Sequence, residues 1–514
     1  MRKSGILLPI TSLASPHGIG CFSQEAYEFV DFLAAAGQAC WQILPLGPTG
    51  FGDSPYQSFS TFAGNPYFID LDDLVGRGWL TAAEIKKYDV GTDGNDHVIA
   101  AASAERKLES QSNTGSIDYE KIHRSRFKLL HTAFENAAPK RSGRYRAFVA
   151  ENAYWLDDYA LFMALKDAHG GAAYSEWAVP LKLREEKALE KCRKQYRHET
   201  DFYRFQQYLF HEQWMRLKQY ANKKGIKIIG DIPIYVSLDS SDAWASPELF
   251  QFDEDLRPTF VAGCPPDYFS ADGQLWGNPL YRWEHHKETG YEWWIKRIAH
   301  CFLLYDVVRI DHFRGFEAYY SIPYGEKTAR RGKWQKGPGY DIFRCLKQAL
   351  GEKEIIAEDL GFLTPAVLRL VKRTGYPGMK ILQFAFDSRE DSDYLPHNYI
   401  KNSVVYTGTH DNDTIVGWYK DLVKIDRDFC DEYLNLHKVK RSERHLEFIR
   451  HALASVSDLA VIPMADYLGL GSKARINIPS TVGENWKWRL EKDALSAELA
   501  ARIRALCELY RRCP

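Results

Sequence analysis

The sequence predicts an α/β fold, a (β/α)8 TIM barrel with large helical insertions at the C-terminal ends of its strands. Three observations predict it. Eight short apolar runs recur without the alternation of a half-exposed strand, the pattern of parallel strands covered on both faces. Stretches with apolar residues at helical spacing separate many of them. The 514 residues also exceed the roughly 250 of a bare barrel, so the surplus belongs to insertions. An open doubly wound sheet is the alternative that the same pattern allows.

In chain order the runs are "GILLPI" (5–10), "CWQILPL" (40–46), "IKIIGDIPIYV" (226–236), "YDVVRIDHF" (305–313), "EIIAEDLG" (354–361), "GMKILQFAF" (378–386), "SVVYTGTHD" (403–411) and "LAVIPMADYL" (459–468). After the first comes "QEAYEFVDFLAAAG" (24–37), an amphipathic helix that stops at Gly37. "YEWWIKRIAHCFLLY", "YDIFRCLKQALG" and "TPAVLRLVKRTG" lead into the fourth, fifth and sixth strands as helices. The whole chain, 1–514, reads as one barrel domain. Its longest gap, 71–225, is polar, charged and mostly helical, and reads as a subdomain inserted between the second and third strands. The segment 246–285 is long, aromatic-rich and loop-like, and reads as a lid.

With 45% hydrophobic residues the chain can bury a large core, and a net charge of −1 gives no footprint for nucleic acid or an anionic membrane. The nine cysteines are scattered, with no C-x-x-C pair, so neither a zinc site nor a disulfide framework is expected. The N-terminal apolar stretch Ile6–Ile10 is broken by Pro9 and reads as a strand rather than a secretion signal, so a cytoplasmic protein is expected.

In such a barrel chemistry gathers at the C-terminal ends of the strands. Those ends carry Asp231 on the third, Arg309 and Asp311 on the fourth, Glu358 and Asp359 on the fifth, and His410, Asp411 and Asp413 on the seventh. Period-2 alternation puts Arg309 and Asp311 on one side of their strand, where the arginine keeps the carboxylate ionised, as a nucleophile needs. Glu358 closes an apolar run, where desolvation raises its pKa, as a general acid needs. A nucleophilic Asp with a protonated Glu is the retaining glycosidase arrangement. Asp359 and Asp413 read as cap or turn residues. "HDND" offers too few oxygen ligands for a hard cation, so no metal is expected. "GLGSKA" (469–474) matches the dinucleotide fingerprint but runs into "RINIP" rather than a helix, so no cofactor is expected.

With these residues in place the sequence resembles the 4-α-glucanotransferases called amylomaltases or disproportionating enzymes, relatives of the α-amylases. "GDSPYQSFSTFAGNPYFIDL" (52–71) is similar to the family's early substrate loop, "GCPPDYFSADGQLWGNPLYRW" (263–283) to its lid loop, and "VRIDHFRGF", "AEDLG" and "GTHDNDT" to its three carboxylate regions. "ADYLGLGSKARINIPS" resembles the closing motif, and "GDIPIYVSLDSSDAW" (230–244) the first amylase-type region without its usual Asn-His ending, which favours amylomaltase over ordinary amylase. The resemblance implies Asp311 as nucleophile, Glu358 as acid/base and Asp411 as transition-state stabiliser. It implies sugar contacts for Arg309, His410, Ser54, Tyr56, Asp267, Gln274, Trp276 and Asn477. The implied partners are maltooligosaccharides and α-1,4-glucans. The implied activity is transfer of a glucan segment to the 4-hydroxyl of an acceptor. A hydrolase of amylase type and a non-catalytic glucan-binding protein remain as alternatives, and the oligomeric state is not legible in the sequence.

Overall fold

The computed structural model describes residues 2–50, 52–88, 116–266, 270–361 and 363–514. Its framework is a parallel sheet of eight strands: β1 (Lys3–Leu7), β2 (Cys40–Gln42), β3 (Lys227–Pro233), β4 (Val307–Asp311), β5 (Ile355–Ala357), β6 (Gly378–Ile381), β7 (Ser403–Tyr406) and β8 (Leu459–Pro463). The spatial order is β6-β7-β8-β1-β2-β3-β4-β5, with every pair parallel. Only a single ladder-like bond joins the two outer strands, from the Ala357 N–H to the Pro377 carbonyl at 3.0 Å. The sheet is therefore a nearly closed barrel, and all eight apolar runs supply its strands.

Burial explains the lack of alternation. Ile228, Ile229, Val308, Ile310, Val405 and Ile462 face either the barrel interior or the surrounding helices, and all are buried. Polar groups inside are paired: the Tyr406 hydroxyl donates to Oε1 of Gln42 at 2.9 Å, linking β7 to β2 across the interior. At Gly230 an added Cβ would lie 2.2 Å from the Tyr305 ring, so this position beside Asp231 tolerates no side chain.

Between β2 and β3 the described residues from Leu71 on are mostly helical, with long helices at Tyr119–Ala137, Ala153–Ala168 and Arg197–Lys223. The last of these returns the chain to the barrel. Gln207 exchanges two hydrogen bonds with the Gly64 backbone (2.7 and 2.8 Å), and Trp214 Nε1 donates to the Leu304 carbonyl at 3.0 Å. A Cβ on Gly64 would strike the Phe210 ring at 2.2 Å, so glycine permits this close approach. None of the described helices is long and apolar enough to cross a membrane.

The 246–285 segment is more than a loop. Phe260–Cys264 and Gln274–Pro279 pair antiparallel and continue through Ala318–Pro323 to Lys333–Lys336, forming a four-stranded sheet beside the barrel mouth. Local signals miss it because glycine and proline interrupt its strands and because the pairing of Phe260–Cys264 with Ala318–Pro323 joins distant parts of the chain.

Candidate active site

Arg309 and Asp231 form the floor of the mouth. They are register partners on adjacent strands, and Nη1 of Arg309 donates to both oxygens of Asp231, at 2.7 and 2.6 Å. Asp231 is 0% exposed. Nη2 of Arg309 reaches Oδ1 of Asp311 at 2.9 Å, as expected of residues two apart on a strand. One buried guanidinium thus serves two carboxylates, and its proton is held far more tightly than in water. The arginine has a stronger partner than the sequence reading gave it. In the sequence Asp231 is a strand-end aspartate with no assigned role, because only the cross-strand register reveals the pairing.

Asp311 differs from Asp231 in facing the opening, with its side chain 31% exposed. Burial pushes its carboxyl up from the usual range and Arg309 pulls it down, while Asp231 adds like charge. The expectation that Arg309 simply keeps Asp311 ionised is therefore incomplete, since desolvation opposes it. Glu358 lies deeper, at 9% exposure, just beyond β5. Its two oxygens accept backbone N–H groups, from His312 at 2.6 Å and Leu360 at 2.8 Å. Burial, then the neighbouring Asp311 charge, lifts it to about 8. Of the two acids Glu358 holds the proton at neutral pH, because Asp311 has the arginine.

His312 makes this geometry possible. Its backbone sits in the left-handed region at φ 52°, uncommon for a residue with a side chain, and the bend turns its N–H onto Glu358. Burial and the nearby Arg314 cation push its imidazole down to about 3, so it is neutral. Its ring meets Trp276 edge to face at 4.8 Å.

Across the mouth, Asp411 is 47% exposed and held from the side. Its Oδ1 accepts from Asn477 Nδ2 at 2.6 Å and lies 3.4 Å from His410 Nε2. Arg475 Nη2 donates to the Asp411 carbonyl at 2.7 Å, and the Asn477 N–H donates to the His410 carbonyl at 3.1 Å. Tyr56 bridges the two sides. Its hydroxyl donates to Oδ2 of Asp231 at 2.9 Å and stands 3.4 Å from His410 Nδ1, and its ring stacks on the imidazole at 5.0 Å. Burial and the Asp231 charge keep that hydroxyl protonated, hence a donor.

Arg309, Asp311, Glu358, Tyr56, His410, Asp411 and Asn477 thus form one connected set. Ser54 and Gln274 make local contacts: Ser54 Oγ accepts the Tyr56 N–H at 3.3 Å, and Gln274 Oε1 accepts Trp276 Nε1 at 3.0 Å. Asp267, with Tyr268 and Phe269, lies outside the described residues. Asp359 proves not to be a helix cap, since its Oδ1 takes the Met379 N–H at 2.7 Å and ties β5 to β6. Asp413 accepts the Thr414 N–H at 2.7 Å just before the helix Ile415–Asp421, a turn role. The sequence reading missed His312, Arg475 and Asp466; the buried Asp466 carboxylate accepts from the Thr407 hydroxyl and the Ile415 N–H and so fixes the loop bearing His410 and Asp411.

A family profile described as 4-alpha-glucanotransferase matches residues 8–495. The chain belongs to the 4-alpha-glucanotransferase family. The 4-alpha-glucanotransferase of Clostridium butyricum is 47% identical over 506 residues, covering 98% of this chain and 99% of that protein. That of Thermus thermophilus is 46% identical, with 99% of each covered. Among solved structures, the amylomaltase of Streptococcus agalactiae in complex with acarbose superposes with a TM-score of 0.93 at 40% identity, covering all of both chains. The amylomaltase of Corynebacterium glutamicum, at 17% identity and a TM-score of 0.76, covers 100% of this chain and 75% of that one and shares the fold. The activity is accordingly that of a 4-alpha-glucanotransferase, an enzyme acting on α-1,4-glucans, and neither amylase-type hydrolysis nor a binding role without catalysis is favoured.

Proposed function

We propose that the enzyme transfers α-1,4-glucan segments by a retaining double displacement, with Asp311 as nucleophile, Glu358 as acid and then base, and Asp411 as stabiliser of the oxocarbenium-like state. The observation that carries this reading is the contrast within one pair. Glu358 is pushed up to about 8 while Asp311 beside it is paired with Arg309. In the first step the anomeric carbon leaves the glycosidic oxygen for Asp311, and the Glu358 proton goes to the departing 4-hydroxyl. Esterification removes the Asp311 charge, the second contributor to the raised Glu358 pKa, so Glu358 becomes a better acid and its carboxylate persists as base. An acceptor 4-hydroxyl then gives Glu358 its proton and displaces Asp311.

The acceptor must outcompete water, a concentration deficit on the order of 10⁴, or about 5.5 kcal/mol. Orientation of a bound acceptor supplies effective molarities well above that. Trp276, standing over His312 next to the nucleophile, supports the reading of the lid as an acceptor platform. Arg309, His410, Tyr56 and Asn477 serve as donor-sugar contacts or hold such contacts in place, with Ser54, Gln274 and Asp267 as further sugar contacts. Maltooligosaccharides are the substrates, and the scattered cysteines support a reducing, cytoplasmic setting. Incubation with maltotriose alone tests the reaction type. Glucose and longer oligomers should appear with reducing ends constant, and a net rise in reducing ends would overturn transfer.

A further inference from the structure

The turn that follows β4 grips Glu358 twice. The His312 N–H donates to its Oε2 at 2.6 Å, and the next amide, that of Phe313, donates to its backbone carbonyl at 3.1 Å. Two successive N–H groups converge on one residue because His312 takes the left-handed conformation, φ 52° and ψ 45°, directly before the one-turn helix Phe313–Phe316. That conformation is sparsely populated for a residue with a side chain and has to be held by its surroundings.

The ring of His312 shows what holds it. It meets Trp276 edge to face, at 4.8 Å between centroids and 89° between planes, and lies 6.4 Å from the Tyr235 ring. Gly315 leaves it room, since a Cβ there would stand 3.3 Å from the imidazole Cδ2. The buried Nε2 has no hydrogen-bond partner among the described residues, so packing fixes that edge of the ring. Trp276 belongs to the lid strand Gln274–Pro279, which Asn278 ties to the end of the β3 region by donating to the Val236 carbonyl at 2.7 Å. A continuous line of contact therefore runs from the lid through one imidazole to one carboxylate.

We propose that His312 is a positioning residue through which the lid sets the orientation of Glu358. Trp276 pins the ring, the pinned ring keeps the backbone left-handed, and the backbone N–H aims Oε2. The inference rests on the proposed acid and base role of Glu358. The N–H favours the charged carboxylate, so losing it raises the value at which Glu358 gives up its proton. Asp311 and Arg309 of β4, Arg314 just beyond it and Tyr394 after β6 also act on Glu358, and the variants of His312 and Trp276 below leave all four in place.

The upper limb of the pH profile of kcat/KM for maltotriose disproportionation, measured on the full-length protein, tests this. His312→Val, whose branched side chain resists the left-handed region, should move the limb upward by about one pH unit and lower kcat/KM about tenfold or more. Asparagine tolerates that region, so His312→Asn should keep the limb at the parent position. Trp276→Ala removes the pin without touching the turn and should move the limb in the same direction as His312→Val. A tryptophan that only held sugar would raise KM and leave the limb in place. Trp276→Ala also decides the matter if His312→Val fails to fold by circular dichroism. A limb that persists in the residual activity of Glu358→Gln would overturn the reading of Glu358 as the acid, and this inference with it. A limb lost in Glu358→Gln but unmoved in Trp276→Ala, unmoved in a folded His312→Val, or moved equally in His312→Val and His312→Asn would overturn the positioning role alone.

Discussion

The two sides of the barrel mouth handle a carboxylate in opposite ways. On the β4–β5 side the Asp311 charge helps to raise Glu358, which is sunk beyond an apolar strand and braced by two backbone amides, while Asp311 faces the opening and is held by an arginine. On the β7 side Asp411 stands half in solvent and is steered by the neutral amide of Asn477 and by His410. Burial suits the first pair to the proton storage and release that the proposed mechanism asks of Glu358. Exposure and lateral hydrogen bonds suit Asp411 to the proposed role of a fixed oxygen surface for a sugar. Three acids of similar sequence context therefore acquire different properties from depth and from the partners that each depth provides.

The largest expected effect separates the two sides directly. Asp311→Asn should lower maltotriose turnover on the order of 10⁴-fold or more, because the covalent step loses its nucleophile. Asp411→Asn should cost about 10²–10³-fold, the range for removing one stabilising group. Equal losses would dissolve the distinction. Next, Asp231→Asn strips Arg309 of its principal buried partner and should destabilise by about 3–5 kcal/mol, read by thermal or urea unfolding. A fully stable variant would show that Asp311 alone satisfies the arginine.

A pH profile sharpens the contrast further. With Glu358 at about 8, kcat/KM should fall as pH rises through that value, where the acid loses its proton. The same shift touches stability. Because the folded value lies above the unfolded one, the contribution of Glu358 is full below the unfolded carboxylate range and is lost as pH climbs through about 8. Glu358→Gln should therefore gain melting temperature relative to the parent above pH 8 and lose the advantage below it. The smallest effect belongs to Asn477→Ala, which should reduce kcat/KM by about tenfold by freeing Asp411 to rotate.

Much of this was legible in the chain. The eight barrel strands showed themselves because strands covered on both faces must be apolar throughout, and Asp311, Glu358 and Asp411 stood out as ionisable groups ending such runs. The runs overshot the ladders, as at 378–386, where hydrogen bonding stops at Ile381 and a one-turn helix, Leu382–Ala385, continues the buried surface. Asp231 was seen but given no role, since one strand-end aspartate looks like another until register sets it opposite Arg309. The second sheet escaped because its central pairing, Phe260–Cys264 with Ala318–Pro323, is non-local and its strands carry glycine, proline and polar residues instead of an apolar run. Asp359 reads as a cap or turn residue because an acid after a strand most often serves there, and nothing nearby announces that it reaches across to the Met379 N–H of β6.

One arrangement has a further consequence. Arg309 is shared between Asp311, the proposed nucleophile, and Asp231, which is wholly buried beneath it. In the proposed mechanism Asp311 turns into an ester and stops being an anion, and an arginine with that sole companion would be stranded as a lone cation under an electron-poor sugar. Asp231 prevents this: the trio passes from one surplus negative charge to electrical balance. A neutralised intermediate has little reason to collapse early, and an enzyme that must wait for a second sugar depends on that patience.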